Sequence, residues 1–314
     1  MAVAGLQTQI WSNKSKSLIL LALFPVILLV IVYLIVFALA ASSADVNDPT
    51  TASFDMFKSF IFYVLAGVVF WFLIAWAFHQ NMILAMTHAE PLERKDNPRV
   101  YNIVENLCIS RGIPMPKIYV IDDESLNAYA SGISPKSSLI TFSHGILDKL
   151  NDQELEAVAA HELTHIINYD IRLMVICIIF VGIIQTISEF FLRVRIGESR
   201  GSRKNSSAGV ILLIKLVVFL LGFLFTVLVQ MAISRKRESL ADAGSVELTK
   251  SSAGLISALE KIAQDPRIEV IENRSVAQMC IENPLSKNDP GILSKLFSTH
   301  PPIKERIETL RTIG

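Results

Sequence analysis

Two histidines and a glutamate in one predicted helix have the types and the spacing of a metal-dependent hydrolytic site. His161 and His165 are four residues apart, so on a helix both imidazoles project from one face and can bind the same ion. Glu162 is turned by about 100° from His161, which suits a base acting on a metal-activated water. The pattern predicts zinc held by three protein ligands and hydrolysis of a carbonyl substrate. The alternative is a pair of surface histidines on an amphipathic helix.

The predicted helix has a clear N-terminal signal. Asn151 can cap it, and Glu154, three residues later, can complete a capping box. Because polar residues precede the histidines, we expect the zinc to lie at a membrane surface and not inside an apolar span.

A third ligand must come from another part of the chain, and 234–242 is the best candidate. Glu238 and Asp242 would lie one turn apart on a helix, so Glu238 can bind the ion while Asp242 accepts the free N–H of a ligand histidine. Taken alone, such an acidic pair is more typical of a solvated helix face. The acidic pair indicates a metal site only in combination with the histidine helix.

Apolar residues are unusually abundant and fall in four blocks. They make up 52% of the chain, with a mean hydropathy of +0.47, above the roughly 45–50% of ordinary globular domains. The blocks 17–41 and 60–78 are uncharged and long enough to cross a bilayer. The blocks 173–192 and 208–233 contain polar groups, including Glu189, so they are predicted either to span with those groups facing protein or to form a non-spanning hairpin.

Basic residues near the spans predict the orientation. Lys14 and Lys16 precede the first block, and further Lys and Arg residues occur at 94–99 and 235–237, so these segments are expected in the cytoplasm. The basic loop 193–204 conflicts with four crossings, which would place it outside. A net charge of zero implies no general attraction to nucleic acid. Three widely spaced cysteines predict reduced thiols rather than a disulfide framework.

The remaining patterns predict a small α+β domain around the histidine helix. A helix at 97–111 and extended segments at 117–121, 127–132 and 137–142 precede it. The predicted fold is thus a mainly α membrane protein with four apolar helices and an α+β catalytic domain. Its predicted parts are a membrane region at 1–92, the first catalytic half at 93–170, two apolar helices at 171–233 and the second catalytic half at 234–314.

Three motifs together resemble a known family. His161-Glu162 with His165, Glu238 with Asp242, and Thr299-His300-Pro301-Pro302 with Arg306 are similar to motifs of the gluzincin family of membrane-integrated zinc proteases. That family includes the HtpX-type heat-shock proteases and, more distantly, the CAAX prenyl protease. The resemblance extends over essentially the whole chain and implies a zincin-like catalytic domain.

The resemblance also implies roles for individual residues. One Zn²⁺ per chain would be bound by His161, His165 and Glu238, with Glu162 as general base and His300 donating a hydrogen bond to the oxyanion. Arg306 would orient other groups or bind a substrate carboxylate, and Asn127 and Ala128 would help form the strand that faces the substrate. His300 has a simpler alternative, since 299–302 also suits the start of a last helix.

The implied function is quality control and stress response. The expected substrates are unfolded or damaged membrane proteins, cleaved at the cytoplasmic side of the bacterial inner membrane, with the lipid bilayer as a further partner. One alternative is a CAAX-type prenyl protease, for which four apolar blocks look too few to build an enclosed chamber. The other is a non-catalytic scaffold or transporter, in which Glu189 and Lys215 would be charges along a pathway.

Overall fold

The computed structural model describes residues 6–42, 48–193, 216–217, 220–223, 235–264, 280–281 and 301–313. Within these ranges the chain is mostly helical and contains one small sheet. The elements in chain order are α1 Leu6–Ser42, α2 Pro49–Thr87, β1 Glu90–Pro91, α3 Pro98–Arg111, β2 Lys117–Ile121, β3 Ala128–Ser131, β4 Leu139–Ser143, α4 His144–Lys149, α5 Asp152–Ile167, α6 Asp170–Arg193, α7 Arg235–Thr249, α8 Ala253–Ile262 and α9 Ile303–Ile313.

The chain forms two compact units. The sheet unit comprises Met1–Ser17, Phe78–Ile178 and Gln230–Gly314, and the apolar unit comprises Leu18–Ala77 and Ile179–Val229. The sheet unit therefore also includes the first residues of the chain, which the sequence analysis grouped with the membrane region.

Two helices have the length and composition of membrane spans. These are Ile10–Phe37 within α1, with mean hydropathy 3.3, and Pro49–Thr87, with mean hydropathy 2.3. Side chains such as Phe62 and Tyr63 are 77% and 76% exposed, as expected where apolar groups face lipid. The first two predicted spans are thus confirmed in the described residues, and the protein is an integral membrane protein.

The third apolar block lies in α6, which follows a sharp bend. The axes of Asp152–Ile167 and Asp170–Ile184 differ by 71°, and these two segments meet the length and hydropathy criteria for a span only when joined. Tyr169, in the turn between them, has a positive φ of 58°. The fourth block, 208–233, falls largely outside the described residues. Within the described residues, two of the four predicted spans therefore correspond to helices with the length and composition of a span.

The sheet has four strands in the order β1-β2-β4-β3. β2 and β4 are parallel, whereas β3 pairs antiparallel with β4 and β1 pairs antiparallel with β2. The three predicted strands are present. β4 begins later than expected because Pro135–Ser137 forms a short 3-10 helix, and the two-residue β1 was not predicted. Every residue of β3 and β4 is buried.

The histidine helix α5 is the central element of the sheet unit. Its predicted capping box is present, since Asn151 Oδ1 accepts a hydrogen bond from Glu154 N at 3.0 Å and Glu154 Oε2 accepts one from Asn151 N at 2.8 Å. On its far side Ala157 packs in a core cluster with Leu255 and Leu259 of α8 and with Ile307 and Leu310 of α9. These contacts hold the helix in place independently of any metal bound at its histidines.

Candidate active site

Three side chains from two helices converge at one point. The potential ligand atoms of His161, His165 and Glu238 all lie within 4.8 Å of one another. Nε2 of His161 is 3.7 Å from Oε2 of Glu238, and Nε2 of His165 is 3.6 Å from Oε1. These separations exceed a hydrogen bond. They resemble the roughly 3.4 Å between two ligands that each lie about 2.1 Å from a tetrahedral ion.

The chemistry of the three side chains suits zinc. Two imidazoles and one carboxylate form a donor set typical of catalytic zinc. His161 is buried, and within the described part of the chain its Nε2 makes no hydrogen bond. A buried nitrogen without a partner is costly, and an ion at this position would remove that cost. The residues present therefore fit a bound zinc.

His161 is oriented by a buried pair of charges. Its Nδ1 lies 3.0 Å from Oδ1 of Asp242. Arg306 donates to both oxygens of that carboxylate, at 2.6 and 2.9 Å. A carboxylate on Nδ1 leaves the Nε2 lone pair directed at the proposed ion. The sequence placed Arg306 either in an orienting role or on a substrate carboxylate, and in the structure its guanidinium contacts Asp242.

His165 has its own carboxylate partner, which sequence reasoning missed. Oδ2 of Asp170 lies 3.0 Å from His165 Nδ1, and Asp170 is fully buried. A signal was available in the sequence, because Asp170 is an acidic residue five positions after His165 at the entrance to an apolar block. Acidic groups at such positions are rare unless they have a partner.

Small residues allow α7 to approach α5 closely enough for Glu238 to reach the histidines. A Cβ placed on Gly244 would lie 2.4 Å from Cγ2 of Thr164, so only glycine fits at this crossing. One residue further, Ser245 Oγ donates to the carbonyl of Ala157 at 2.7 Å. The contact between the two helices therefore sets the position of Glu238 relative to the histidine pair.

The two histidines differ in protonation. Burial, aided by the charge of Arg306, lowers the pKa of His161 to about 4, although Asp242 acts in the opposite direction. Burial also lowers the pKa of His165, but the charge of Glu238 and the hydrogen bond that His165 donates to Asp170 outweigh it and raise this pKa to about 9. His161 is therefore neutral at pH 7, whereas an ion that binds at His165 must displace a proton.

Glu162 lies in the same cleft as the three candidate ligands. The cleft is lined in addition by apolar groups, among them Ala130, Ile171, Met174 and Ile281. Glu162 is only 2% exposed. Cys280 also lines the cleft, and burial together with the charge of Glu162 raises the pKa of its thiol. A carboxylate in such an enclosed position can exchange a proton with a group held in the cleft.

The sheet edge predicted to face the substrate is not open along its whole length. β3 is an edge strand, but Tyr129 bridges Cys280, and the N–H of Ile281 donates to the carbonyl of Ala128 at 2.8 Å. Asn127 and Ala128 are both buried. At Ala128 the chain itself therefore supplies a partner for the main-chain carbonyl, and whether this strand faces the substrate stays a prediction. His300 lies outside the described residues.

These features define a class of protein. Two histidines and a glutamate on one helix, a carboxylate on a second helix and long apolar helices are typical of a membrane-integrated metallopeptidase. Residues 94–313 match the model of peptidase family M48, and the chain belongs to this family.

Similar proteins cover nearly the full length of the chain. It is 48% identical over 319 residues to a protease HtpX homolog of Bacteroides fragilis strain YCH46, with 99% of each chain covered. It is 39% identical over 312 residues to a protease HtpX homolog of Lactobacillus helveticus, with 97% of this chain and 99% of the other covered. Among solved structures it is similar to S. mikatae Ste24p, with 20% identity and a TM-score of 0.47 over 96% of this chain and 66% of that one.

The protein is therefore a metalloprotease, and the family expected from the motifs is confirmed. Family M48 consists of zinc metalloproteases, in agreement with the donor set of the candidate site. The hypothesis of a non-catalytic scaffold or transporter is not supported.

Proposed function

We propose that this protein is a zinc-dependent endopeptidase that cleaves unfolded or damaged membrane proteins on the cytoplasmic side of the bacterial inner membrane. His161, His165 and Glu238 bind one zinc ion, and Glu162 acts as the general base. The observation that supports this most strongly is that the three ligand atoms lie within 4.8 Å of one another in a cleft that Glu162 also lines.

The proton transfers fall to Glu162. Bound zinc supplies the Lewis acidity that activates a water molecule and polarises the scissile carbonyl. Glu162 accepts the proton of the attacking water and delivers it to the departing amine nitrogen. His300 donates a hydrogen bond to the carbonyl oxygen as it becomes negative, an interaction that contributes about 2.7–4 kcal/mol in other hydrolases.

Two carboxylates hold the ligand histidines in their working orientation. Oδ1 of Asp242 faces Nδ1 of His161 at 3.0 Å, and Arg306 holds that carboxylate in place and charged. The pKa of Asp242 is lowered to about 2, since the charge of Arg306 and the hydrogen bond from His161 outweigh burial. Asp170 has the corresponding role for His165. Partners of this kind typically change metal affinity by about 10- to 100-fold.

The substrate binds as an extended chain beside β3. Pairing with an edge strand uses backbone groups, so it accepts many sequences, which suits a protease for unfolded proteins. Ala128 contributes through its main chain, because its side chain is buried. The main chain of Asn127 is occupied by Ser143, whose N–H donates to its carbonyl at 2.9 Å and whose hydroxyl accepts from its N–H at 3.0 Å, so Asn127 supports the strand from within. A peptide that uses the carbonyl of Ala128 competes with the N–H of Ile281, which occupies it at 2.8 Å.

The cytoplasmic location rests on charge. Basic residues precede the first span at Lys14 and Lys16, and others cluster at 94–99 and 235–237, at the edges of the two catalytic halves. Such residues favour the cytoplasmic side of a membrane. A site in the cytoplasm meets both membrane proteins with damaged cytoplasmic loops and soluble unfolded chains.

The decisive experiment replaces the general base. We expect Glu162→Gln to retain zinc and fold but to lower the rate of casein cleavage by at least about 100-fold, the usual scale for a lost general base. Glu156→Gln, on the same helix, is the matched control and should cleave normally.

Cleavage by Glu162→Gln at the parent rate would refute the role of Glu162 as the base, and purified parent protein without zinc would refute the metal site. A parent enzyme that cuts only prenylated CAAX peptides, and not casein, would favour the prenyl protease alternative.

A further inference from the structure

A polar side chain is buried near the start of the first apolar helix. Asn13 is completely buried, although it lies within the candidate span Ile10–Phe37. A polar residue in such a helix is costly unless protein groups satisfy it, and it usually marks a functional contact. The amide nitrogen of Asn13 has two acceptors, Oδ1 of Asp170 at 2.6 Å and the carbonyl of Asn168 at 2.9 Å. Both amide hydrogens are thus used.

The contact with Asp170 leads directly to the candidate metal site. Oδ1 of Asp170 accepts the hydrogen bond from Asn13, while Oδ2 of the same carboxylate lies 3.0 Å from Nδ1 of His165. Arg237 is near Oδ1 as well, but its Nε is 3.9 Å away, beyond hydrogen-bonding distance. Asn13 therefore supplies the short, directional contact that determines how this carboxylate is rotated.

The residue after Asn13 contacts the turn that follows α5. The ammonium of Lys14 lies 4.5 Å from the centre of the Tyr169 ring, a cation–π contact. Ser17 Oγ donates to the carbonyl of Asn13 at 2.8 Å, a local contact within α1 that does not involve this turn. The turn from Asn168 to Asp170 is therefore held from outside by residues that are far away in sequence.

We propose that Asn13 is a positioning residue for the zinc site. Its amide fixes the carboxylate of Asp170, which in turn fixes the ring orientation of His165 with Nε2 facing the ion. The start of the first apolar helix thereby takes part in metal binding without touching the metal. The inference rests on the zinc site proposed above and adds a residue to it that no motif contains.

The experiment measures metal binding directly on the full-length protein in detergent. We expect Asn13→Ala to weaken zinc binding by about tenfold, the lower end of the effect of outer partners of metal ligands, in a competition with a chromophoric chelator. The visible spectrum of the Co²⁺-loaded variant should also differ from that of the parent, because the ligand field of His165 changes. Ser17→Ala is the control, because Ser17 is buried in the same helix and, among the described residues, its hydroxyl donates to the carbonyl of Asn13 rather than to Asp170.

A double variant separates positioning from general loss of structure. If Asn13 acts through Asp170, Asn13→Ala combined with Asp170→Ala should bind zinc no more weakly than Asp170→Ala alone. Additive losses, or an Asn13→Ala protein with the parent affinity and the parent Co²⁺ spectrum, would overturn the inference. If Asn13→Ala does not fold, Asn13→Ser provides the same test, because serine stays polar but is too short to reach Asp170. A parent that binds no zinc would instead refute the proposed function.

Discussion

Arg306 of the last helix and Asp242 of α7 form a buried, two-pronged ion pair, with contacts of 2.6 and 2.9 Å. Arg306 also donates to the carbonyl of Ile281 at 3.1 Å. Because Asp242 faces His161 at 3.0 Å, this one carboxylate connects α9, α7 and α5. The C-terminal helix is therefore part of the metal site and does not merely pack behind it.

Replacing Arg306 by lysine should weaken zinc binding while leaving the charge unchanged. Lysine cannot make two parallel hydrogen bonds to a carboxylate, so Asp242 would be free to rotate away from His161. We expect a loss of about tenfold in zinc affinity, measured by chelator competition. Arg311→Lys is the control, because Arg311 lies on the same helix in an exposed pair with Glu260. Equal zinc affinities for parent and Arg306→Lys would contradict the orienting role.

Removing the carboxylate of α7 should empty the metal site. Glu238→Ala leaves only two protein ligands, fewer than a catalytic zinc requires, so we expect purified protein with little zinc and no casein cleavage. Metal content can be measured by atomic emission. Glu247→Ala on the same helix removes an exposed partner of Arg111 and should keep one zinc per chain. A Glu238→Ala protein with full zinc content would show that another residue is the third ligand.

Gly244 permits the close contact between α7 and α5, so a single added methyl group should disturb it. In Gly244→Ala the new Cβ would lie 2.4 Å from Cγ2 of Thr164, and overpacking of this kind typically costs about 1–3 kcal/mol. We expect a lower unfolding temperature and weaker zinc binding, because Glu238 moves with α7. Adding Thr164→Ala removes the clashing atoms and should restore both properties in part. A double variant no better than Gly244→Ala would argue against this explanation.

Ile281 tests the position of the substrate. Ile281→Pro deletes the N–H that occupies the carbonyl of Ala128, while Ile281→Val keeps it and serves as the control. If the peptide pairs with β3 there, loss of the internal competitor should lower KM by about two- to tenfold, the equivalent of one hydrogen bond, with kcat little changed. Steady-state cleavage of a casein-derived peptide measures both constants. A KM that stays the same or rises in Ile281→Pro would exclude this part of the edge from substrate binding.

Glu154 should stabilise the folded protein at neutral pH and lose this effect in acid. Its carboxylate contacts Lys261 at 2.7 Å and Ser257 at 2.6 Å, and these contacts outweigh burial and lower its pKa below 4.5. Since the folded state holds this proton less tightly than the unfolded state, the stabilisation is present above pH 4.5 and is lost as the pH falls through the lowered value.

We therefore expect Glu154→Gln to reduce the free energy of unfolding at pH 7 by about 1–2 kcal/mol. This is the usual contribution of a hydrogen bond to a charged group, lowered because Lys261 is partly exposed to solvent. The difference between parent and variant should shrink below pH 4.5, as measured by thermal unfolding in detergent. Glu260→Gln, in an exposed pair with Arg311, should show little effect at either pH. A difference that persists at low pH would mean that the charge of Glu154 is not its cause.

Much of the secondary structure and part of the metal site can be predicted from the sequence, because they depend on residues that are close together in the chain. The spacing of His161 and His165 follows from the period of one helix, and the capping box at Asn151 involves neighbours in the chain. The first two spans follow from the length of uncharged apolar segments, and the strands follow from short runs between turn residues. The motif pattern also indicated the family, which the match over residues 94–313 confirmed.

The tertiary structure alone decided which distant groups meet. Asp242 faces His161, while Asp170 faces His165, and a helical repeat cannot distinguish these two pairings. The contact between Asn13 and Asp170 joins residues 157 positions apart, and Ile281 reaches β3 from a segment with no predicted strand. Such contacts depend on how helices and strands pack and on which rotamers that packing permits. A one-dimensional pattern contains the donors and acceptors, but the packing selects the partner of each.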